Sequence, residues 1–358
     1  MRRAKRSSRS SGSWRSWAGS AAPWVAAAML VAASLVAAAA SPAAGADSRF
    51  APVPGPYAVE AMNLDWFDRD RNRQVPVRVY FPRHEPGPFP VVVFSSGLGA
   101  GRNNFEFLGR HLASHGYVSV HVQHLGSDGQ VEKSGADAPG ALRQAARDPR
   151  AGLTRLLDLV FALDQVGALA ASSPVLRGRL DLGAVAVGGN NLGAWTALAA
   201  AGLATVGKDG EESSLPDPRV KAALLFFPPP AAAQGGRLRF EHVKVPCLHV
   251  VGTPAGGRES DAQVAARRIA FDQIAGADQV LVTVTVAAAA GAPAGAGAGA
   301  GAAPGPDRAK AIPGYLKAIS TAFLDATLRH DAAAKSWLAG GGLAAWLGGG
   351  ARVETRSK

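Results

Sequence analysis

Hydrophobic residues recur at two different spacings along this chain, one typical of strands and one typical of helices. Segments with the two spacings alternate. Residues 75–81 alternate apolar and polar positions, and residues 90–95 form a continuous apolar run typical of a central parallel strand. Helical spacing follows over residues 105–115 and again from Leu153. Further strands are predicted at 117–122, 184–187, 222–227, 247–251 and 279–286, and further helices after residue 191, at 262–274 and at 312–328. This order predicts an α/β fold with a mostly parallel central sheet flanked by helices.

Composition divides the chain into segments. Residues 1–46 contain basic residues, an apolar run over 24–40 and the sequence Ala44-Gly-Ala46, which fits an A-x-A cleavage site. This combination is typical of a signal peptide cleaved near Ala46. An uncleaved N-terminal membrane anchor is the alternative. One domain is predicted over residues 47–338, and a Gly-rich tail over residues 339–358. Residues 287–306 are almost wholly Ala, Gly and Pro and are expected to form a low-complexity loop inside the domain.

The charge balance excludes one class of partner. The formal net charge is +11, but six of the 38 Lys and Arg residues precede residue 47, where there is no acid. The rest of the chain carries 32 basic and 27 acidic residues, without a dense basic run interleaved with aromatics. Nucleic-acid binding is therefore not expected. Cys247 is the single cysteine, so an internal disulfide is not available, and its apolar surroundings predict a buried strand residue.

Residues 184–200 carry the most informative pattern. An apolar strand leads through Gly188-Gly-Asn-Asn-Leu-Gly193 into an Ala-rich helix, laid out like the G-x-S-x-G elbow of serine hydrolases with Asn191 in place of serine. Gly189 and Gly193 provide the small residues that the turn needs. Asparagine tolerates a positive φ, but its amide is not a nucleophile for esters at neutral pH.

A second glycine-rich turn, over residues 95–101, follows the central strand. In this position an oxyanion loop stabilises the tetrahedral intermediate of acyl transfer through backbone N–H groups. The candidate donors are the N–H groups of Leu98 and Leu192.

Several motifs together, in the expected order, resemble those of a known family. They are Arg73 to Pro82, Phe89 to Gly99, Leu112 to Val118, His121 to Asp128, the elbow, and Thr321 to Leu328. From about Ala58 to Leu338 the chain resembles the dienelactone-hydrolase-like α/β-hydrolases related to platelet-activating-factor acetylhydrolase. The resemblance implies the α/β-hydrolase fold and a serine esterase or lipase activity with a Ser-His-Asp triad.

The chain departs from that pattern at each catalytic position. The resemblance places serine at Asn191, a histidine at Ser96, and an aspartate at about Ala255. The triad histidine would follow residue 286, where the low-complexity segment begins. His249 and His330 flank this region, and both are expected to have packing or surface roles.

These departures predict a catalytically impaired pseudo-hydrolase. The predicted signal peptide indicates that it is exported and is periplasmic or extracellular. It is expected to bind a small ester-like or lipid ligand, or a protein partner, without a cofactor, a metal or a stable membrane span after cleavage. Two alternatives remain open. One is an active carboxylic-ester or phospholipid-ester hydrolase using other residues, with Ser95 and Ser96 as candidates. The other is a purely structural exported protein.

His111, His115, His121 and His124 cluster in sequence without the carboxylates or thiols of a metal site.

Overall fold

The secondary structure follows the predicted alternation. The computed structural model describes residues 50–129, 140, 144, 148–207, 209–231, 237–254, 261–286, 306–348 and 351–358, which belong to one compact unit. The strands are β1 (Val59–Asp68), β2 (Arg73–Pro82), β3 (Phe89–Ser95), β4 (Val118–Val122), β5 (Leu180–Asn190), β6 (Ala204–Val206), β7 (Glu212–Ser213), β8 (Val220–Phe226), β9 (Arg237–Arg239), β10 (Cys247–Pro254), β11 (Gln279–Val286) and β12 (Ala351–Arg356). The helices are α1 (Glu106–Ser114), α2 (Pro149–Ser172), α3 (Leu192–Ala200), α4 (Asp261–Gln273), α5 (Pro306–Leu328), α6 (Ala332–Ala339) and α7 (Gly342–Leu347).

A nine-stranded sheet organises the described part of the chain. Its order is β1-β2-β4-β3-β5-β8-β10-β11-β12, and the six strands from β4 to β11 in this order run parallel. The pairs β1–β2, β2–β4 and β11–β12 are antiparallel. The α/β fold predicted from sequence, with a mostly parallel central sheet flanked by helices, is confirmed.

Both faces of the sheet are covered, which explains the continuous apolar run in β3. Successive side chains of a strand point to opposite faces. Val91 and Val93 lie in one hydrophobic cluster with α2, α3 and α4, whereas Val92 and Phe94 lie in a second cluster with α1, α5, α6 and α7. In a strand that is buried on both faces no side chain points to solvent, so apolar and polar residues do not alternate.

The topology brings the predicted elbow and the predicted oxyanion loop together. Strands β3, β4 and β5 are parallel neighbours, and they end at Ser95, Val122 and Asn190. The carboxyl ends of parallel strands meet at one edge of the sheet, where α/β proteins bind their ligands. The loops after these three strands therefore form the candidate site.

Two segments are more ordered than the sequence indicated. The tail predicted over residues 339–358 contains α7 and β12, and β12 pairs with β11 from Val284↔Ala351 to Gln279↔Arg356. Backbone pairing against a buried strand orders this segment, so it belongs to the folded domain. The charged segment over 206–218, where the apolar pattern predicts no strand, contributes β7 to a small antiparallel sheet of order β7-β6-β9.

Several predictions fall outside the described residues. They concern the signal peptide and cleavage near Ala46, the triad position at Ala255, and all but the last residue of the low-complexity segment 287–306. Within the described ranges, no helix combines the length and apolar character needed to cross a membrane.

Candidate functional site

The turn between β5 and α3 has the strained backbone of a nucleophile elbow. Asn191 has φ 55° and ψ −123°, a sparsely populated combination that costs a non-glycine residue about 1–3 kcal/mol. Close backbone contacts fix this conformation. A Cβ atom on Gly189 would lie 2.0 Å from the carbonyl oxygen of Gly193, and one on Gly193 would lie 2.1 Å from that of Ser95. The space around both positions therefore admits no side chain, which requires glycine at each of them.

The side chain of Asn191 occupies one of the two predicted oxyanion donors. Its Oδ1 accepts a hydrogen bond from the backbone N–H of Leu192 at 2.7 Å and so caps α3. A substrate oxyanion would have to displace this amide oxygen before it could use the same N–H group. The Asn191 side chain thus competes with the charge stabilisation that the elbow normally provides.

The predicted oxyanion loop lies directly beside the elbow. A Cβ atom on Gly97 would lie 3.1 Å from the carbonyl oxygen of Asn190, so the loop and the elbow are in close contact. Leu98, the candidate donor of this loop, directly follows Gly97 in sequence. Gly99 has φ 73°, and its N–H donates to the carbonyl of Ser127 at 2.9 Å. Ser96, where the resemblance places a histidine, donates its hydroxyl to the Gly101 carbonyl.

The chain has eight histidines, and the structure describes all of them. None of these eight histidines forms a hydrogen bond to Asn191. His249 is buried in β10 and bonds to Gln279 Oε1 at 2.9 Å. His330 follows α5 and is next to Arg329, which donates to the Gly116 carbonyl at the opposite, amino-terminal edge of the sheet. Neither histidine is hydrogen-bonded to a residue of the elbow, 189–193.

Three histidines of the sequence cluster and the single cysteine have packing roles. His111 Nε2 lies 3.1 Å from Thr321 Oγ1, and the rings of His111 and His115 pack with centroids 4.4 Å apart. His121 bonds to Ser119 in the core. Burial raises the pKa of the Cys247 thiol to about 12, so the thiol is protonated and unreactive at neutral pH.

A buried polar network, which we call the Ser95 network, lies beneath the elbow. It contains Ser95, His124, Arg155 and Asp158, all less than 2% exposed. Ser95 Oγ lies 2.9 Å from His124 Nε2, and His124 Nδ1 lies 3.1 Å from Asp158 Oδ2. An ionised carboxylate only accepts, so Nδ1 carries the proton, and the Ser95 hydroxyl donates to Nε2. This order of groups is that of a Ser-His-Asp triad.

Arg155 joins this network to the loops above it. Its guanidinium donates to Ser95 Oγ, to the Ser96 carbonyl, to Ser127 Oγ at 2.8 Å and to Thr196 Oγ1 in α3 at 3.3 Å. The oxyanion loop, the loop after β4 and the elbow helix therefore share one buried cation. Burial lowers the pKa of Arg155 to about 9. Because this value is still above neutral pH, the guanidinium stays charged.

The charges of the Ser95 network compensate each other around Asp158. Burial alone would raise the pKa of Asp158, but hydrogen bonds from His124 and Arg73 outweigh it and lower the pKa to about 2. Arg71 also donates to this carboxylate, at 2.8 Å. Burial lowers the pKa of His124 to about 4 although Asp158 is next to it, so the imidazole is neutral at neutral pH.

Sequence reasoning named Ser95 as a candidate nucleophile but missed its buried partners, although α2 contained a signal. Arg155 and Asp158 are three residues apart and therefore share a helix face. That face also carries Leu159 and Ala162, both fully buried. Two charged residues in phase with a buried stripe indicate a paired interior network, because isolated buried charges are strongly disfavoured.

Comparison with known proteins covers the first part of this site. The family model described as platelet-activating factor acetylhydrolase, isoform II, matches residues 71–132. A platelet-activating factor acetylhydrolase of Cavia porcellus is 34% identical over 68 residues, which is 19% of this chain and 16% of that relative. The chain thus matches about a sixth of the length of this relative. The predicted resemblance to this esterase-type family is confirmed, over a region that includes Ser95 and His124 but not Asn191.

Proposed function

We propose that this chain is an exported α/β-hydrolase-fold protein that does not hydrolyse esters and that binds a small ester-like or lipid ligand at its elbow. One observation carries the proposal: Asn191 replaces the nucleophile and places its amide oxygen 2.7 Å from the Leu192 N–H. The residue that removes the attacking group also occupies an oxyanion donor. Both effects oppose acyl transfer.

The described histidines support the same conclusion. General-base catalysis requires a base within hydrogen-bond reach of the nucleophile, about 2.6–3.2 Å. His124 lies in the loop after β4 at this edge of the sheet, and its two ring nitrogens are engaged by Ser95 and Asp158. A serine at position 191 would have no comparable partner.

Hydrolysis of p-nitrophenyl acetate tests the absence of elbow catalysis. We expect the purified protein and its Asn191→Ala variant to release p-nitrophenol at the same rate, equal to that of an inert protein at the same concentration. Turnover by the wild-type protein that is lost in Asn191→Ala would overturn the proposal.

Ligand binding provides a second, independent test. Asn191→Ala removes the oxygen that competes for the Leu192 N–H, and one hydrogen bond is worth about 0.5–1.5 kcal/mol. Calorimetric titration with p-nitrophenyl butyrate should therefore show about 2- to 10-fold tighter binding to the variant than to the wild-type protein. Absence of binding to both proteins would contradict the binding function.

The Ser95 network favours one second candidate, an ester hydrolase with Ser95 as nucleophile. The observation in its favour is the 2.9 Å contact between Ser95 and His124, together with the 3.1 Å contact between His124 and Asp158. Against it, Ser95 and His124 are fully buried, so a substrate has no access without opening of the loops. Ester hydrolysis that is abolished in Ser95→Ala but unchanged in Asn191→Ala would establish this candidate.

A further inference from the structure

We propose that Asn191 is a site of covalent self-modification, in which the elbow backbone promotes closure of a cyclic imide and deamidation to a carboxylate. The reaction uses Asn191, the backbone nitrogen of Leu192 and water. It goes beyond the proposed function and does not depend on it, because ring closure involves neither a substrate nor the binding of a ligand.

The backbone angle at Asn191 is the one that ring closure needs. The imide ring contains Cβ, Cγ, Cα and the carbonyl carbon of the asparagine and the nitrogen of the next residue, and it is nearly planar. Cβ and the backbone nitrogen are about a third of a turn apart around the Cα–C bond. With ψ at −123°, Cβ of Asn191 therefore almost eclipses the nitrogen of Leu192. Ordinary residues reach this arrangement rarely, because it lies outside the helical and extended regions.

The reacting groups are already in contact. The Leu192 nitrogen lies 2.7 Å from Asn191 Oδ1, which is bonded to the carbon that the nitrogen would attack. Leu192 is the first residue of α3, so its N–H has no acceptor within the helix. Asn191 is exposed, which allows water to reach the ring. Position and orientation of this kind contribute much of the advantage of intramolecular reactions.

The chemistry balances with water as the only co-reactant. The Leu192 nitrogen forms a bond to Cγ of Asn191 while the bond from Cγ to Nδ2 breaks. The proton lost by the Leu192 nitrogen and the leaving amino group depart together as ammonia. Water then adds to one of the two imide carbonyls and opens the ring, giving aspartate or isoaspartate at position 191. The aspartate product carries a negative charge at the amino-terminal end of α3, where the helix dipole favours it.

Asn190 provides a matched control within the same segment. It is the last residue of β5 and lies in register with Phe226, so its backbone is extended and its Cβ is turned away from the next nitrogen. In an unfolded chain the order of reactivity should reverse, because the small Asn191 follows Asn190 whereas the branched Leu192 follows Asn191. The fold alone makes Asn191 the faster site.

Peptide mapping by mass spectrometry tests the inference. The full chain is incubated at pH 8, folded or in concentrated urea, and the tryptic peptide 180–208, which contains both asparagines, is fragmented to assign the modified residue. In the folded protein we expect deamidation of Asn191 to be at least about tenfold faster than that of Asn190, with isoaspartate as the marker of the imide route. In urea the preference should reverse. Asn191→Gln, whose imide ring would be six-membered, should show no gain at position 191.

The inference is overturned if Asn191 deamidates in the folded protein no faster than in urea, or no faster than Asn190. Far-UV circular dichroism before and after incubation confirms that the folded sample has stayed folded. Ester hydrolysis is measured on the same samples, so failure of the deamidation inference and failure of the proposed function give separate results.

Discussion

At the scale of single residues, Asn191 combines a strained turn with a side chain that is not a nucleophile for esters. The elbow requires a positive φ, and asparagine is among the residues that adopt it at the lowest cost. Its side chain then caps α3 through the Leu192 N–H. A residue that is suited to the turn but is not a nucleophile for esters keeps the elbow backbone, in line with the proposed absence of elbow catalysis.

Restoring the serine should not restore activity. We expect Asn191→Ser to hydrolyse p-nitrophenyl acetate at the rate of the matched Asn191→Ala variant, because no described histidine forms a hydrogen bond to position 191. The measurement is steady-state release of p-nitrophenol. Activity in the serine variant more than about tenfold above the alanine variant would show that a base reaches the elbow, since general-base catalysis contributes about 10²–10⁴-fold.

The elbow glycine at position 193 should tolerate no side chain. A Cβ atom there would lie 2.1 Å from the Ser95 carbonyl oxygen, so Gly193→Ala has to shift backbone. We expect it to lower the free energy of unfolding by about 3 kcal/mol. Gly167→Ala, inside α2 with nothing within 4 Å of the added atom, should instead raise it by about 0.5–1 kcal/mol. Urea unfolding measures both. Equal effects would mean that the close approach at the elbow is not maintained.

At the scale of elements, α2 contributes a buried charge network rather than only an apolar face. Arg155 and Asp158 connect this helix to the start of β2, to the oxyanion loop and to α3. The same residues hold in place the loops that the candidate site consists of. We therefore regard the Ser95 network as the structural support of the site.

Removing the charge of Asp158 should destabilise the protein strongly. Asp158→Asn leaves Arg73 and Arg155 without their buried counter-charge, and breaking a buried pair in this way costs about 3–5 kcal/mol. The matched control is Asp164→Asn in the same helix, whose carboxylate is 57% exposed and pairs with Arg219. An exposed pair is worth about 0–1 kcal/mol. Urea unfolding of the two variants should differ accordingly, and similar losses would show that the network does not support the fold.

At the scale of the whole molecule, the alternating pattern predicted most of the sheet and most of its helices. The apolar run at 90–95 corresponds to β3, because a buried parallel strand leaves a continuous signal, and the strand predicted at 279–286 corresponds to β11. By contrast, β12 is short, charged and preceded by glycines, and its pairing with β11 orders it. The Ser95 network joins residues 29 and 34 positions apart in sequence, and pattern alone does not predict such contacts.

Acid stability should depend on four buried histidines. Burial lowers the pKa of His111 to about 3 and those of His121, His124 and His249 to about 4, from 6.5. Between pH 6.5 and 4 the unfolded chain binds more protons than the folded one, so stability is lost as the pH falls through this window. Each histidine should cost about 1–2 kcal/mol between pH 7 and pH 5. Urea unfolding at the two pH values measures this loss, and equal stability at both would contradict it.

The central claim is that this chain has the hydrolase fold without an activated nucleophile, and labelling with a fluorophosphonate tests it most directly. The probe reacts with serine hydroxyls that a neighbouring base activates, and intact mass spectrometry counts the adducts on the full chain. We predict no adduct on the folded protein after a time that labels an active serine esterase completely. A stoichiometric adduct, at Ser95 or at any other serine, would contradict the claim.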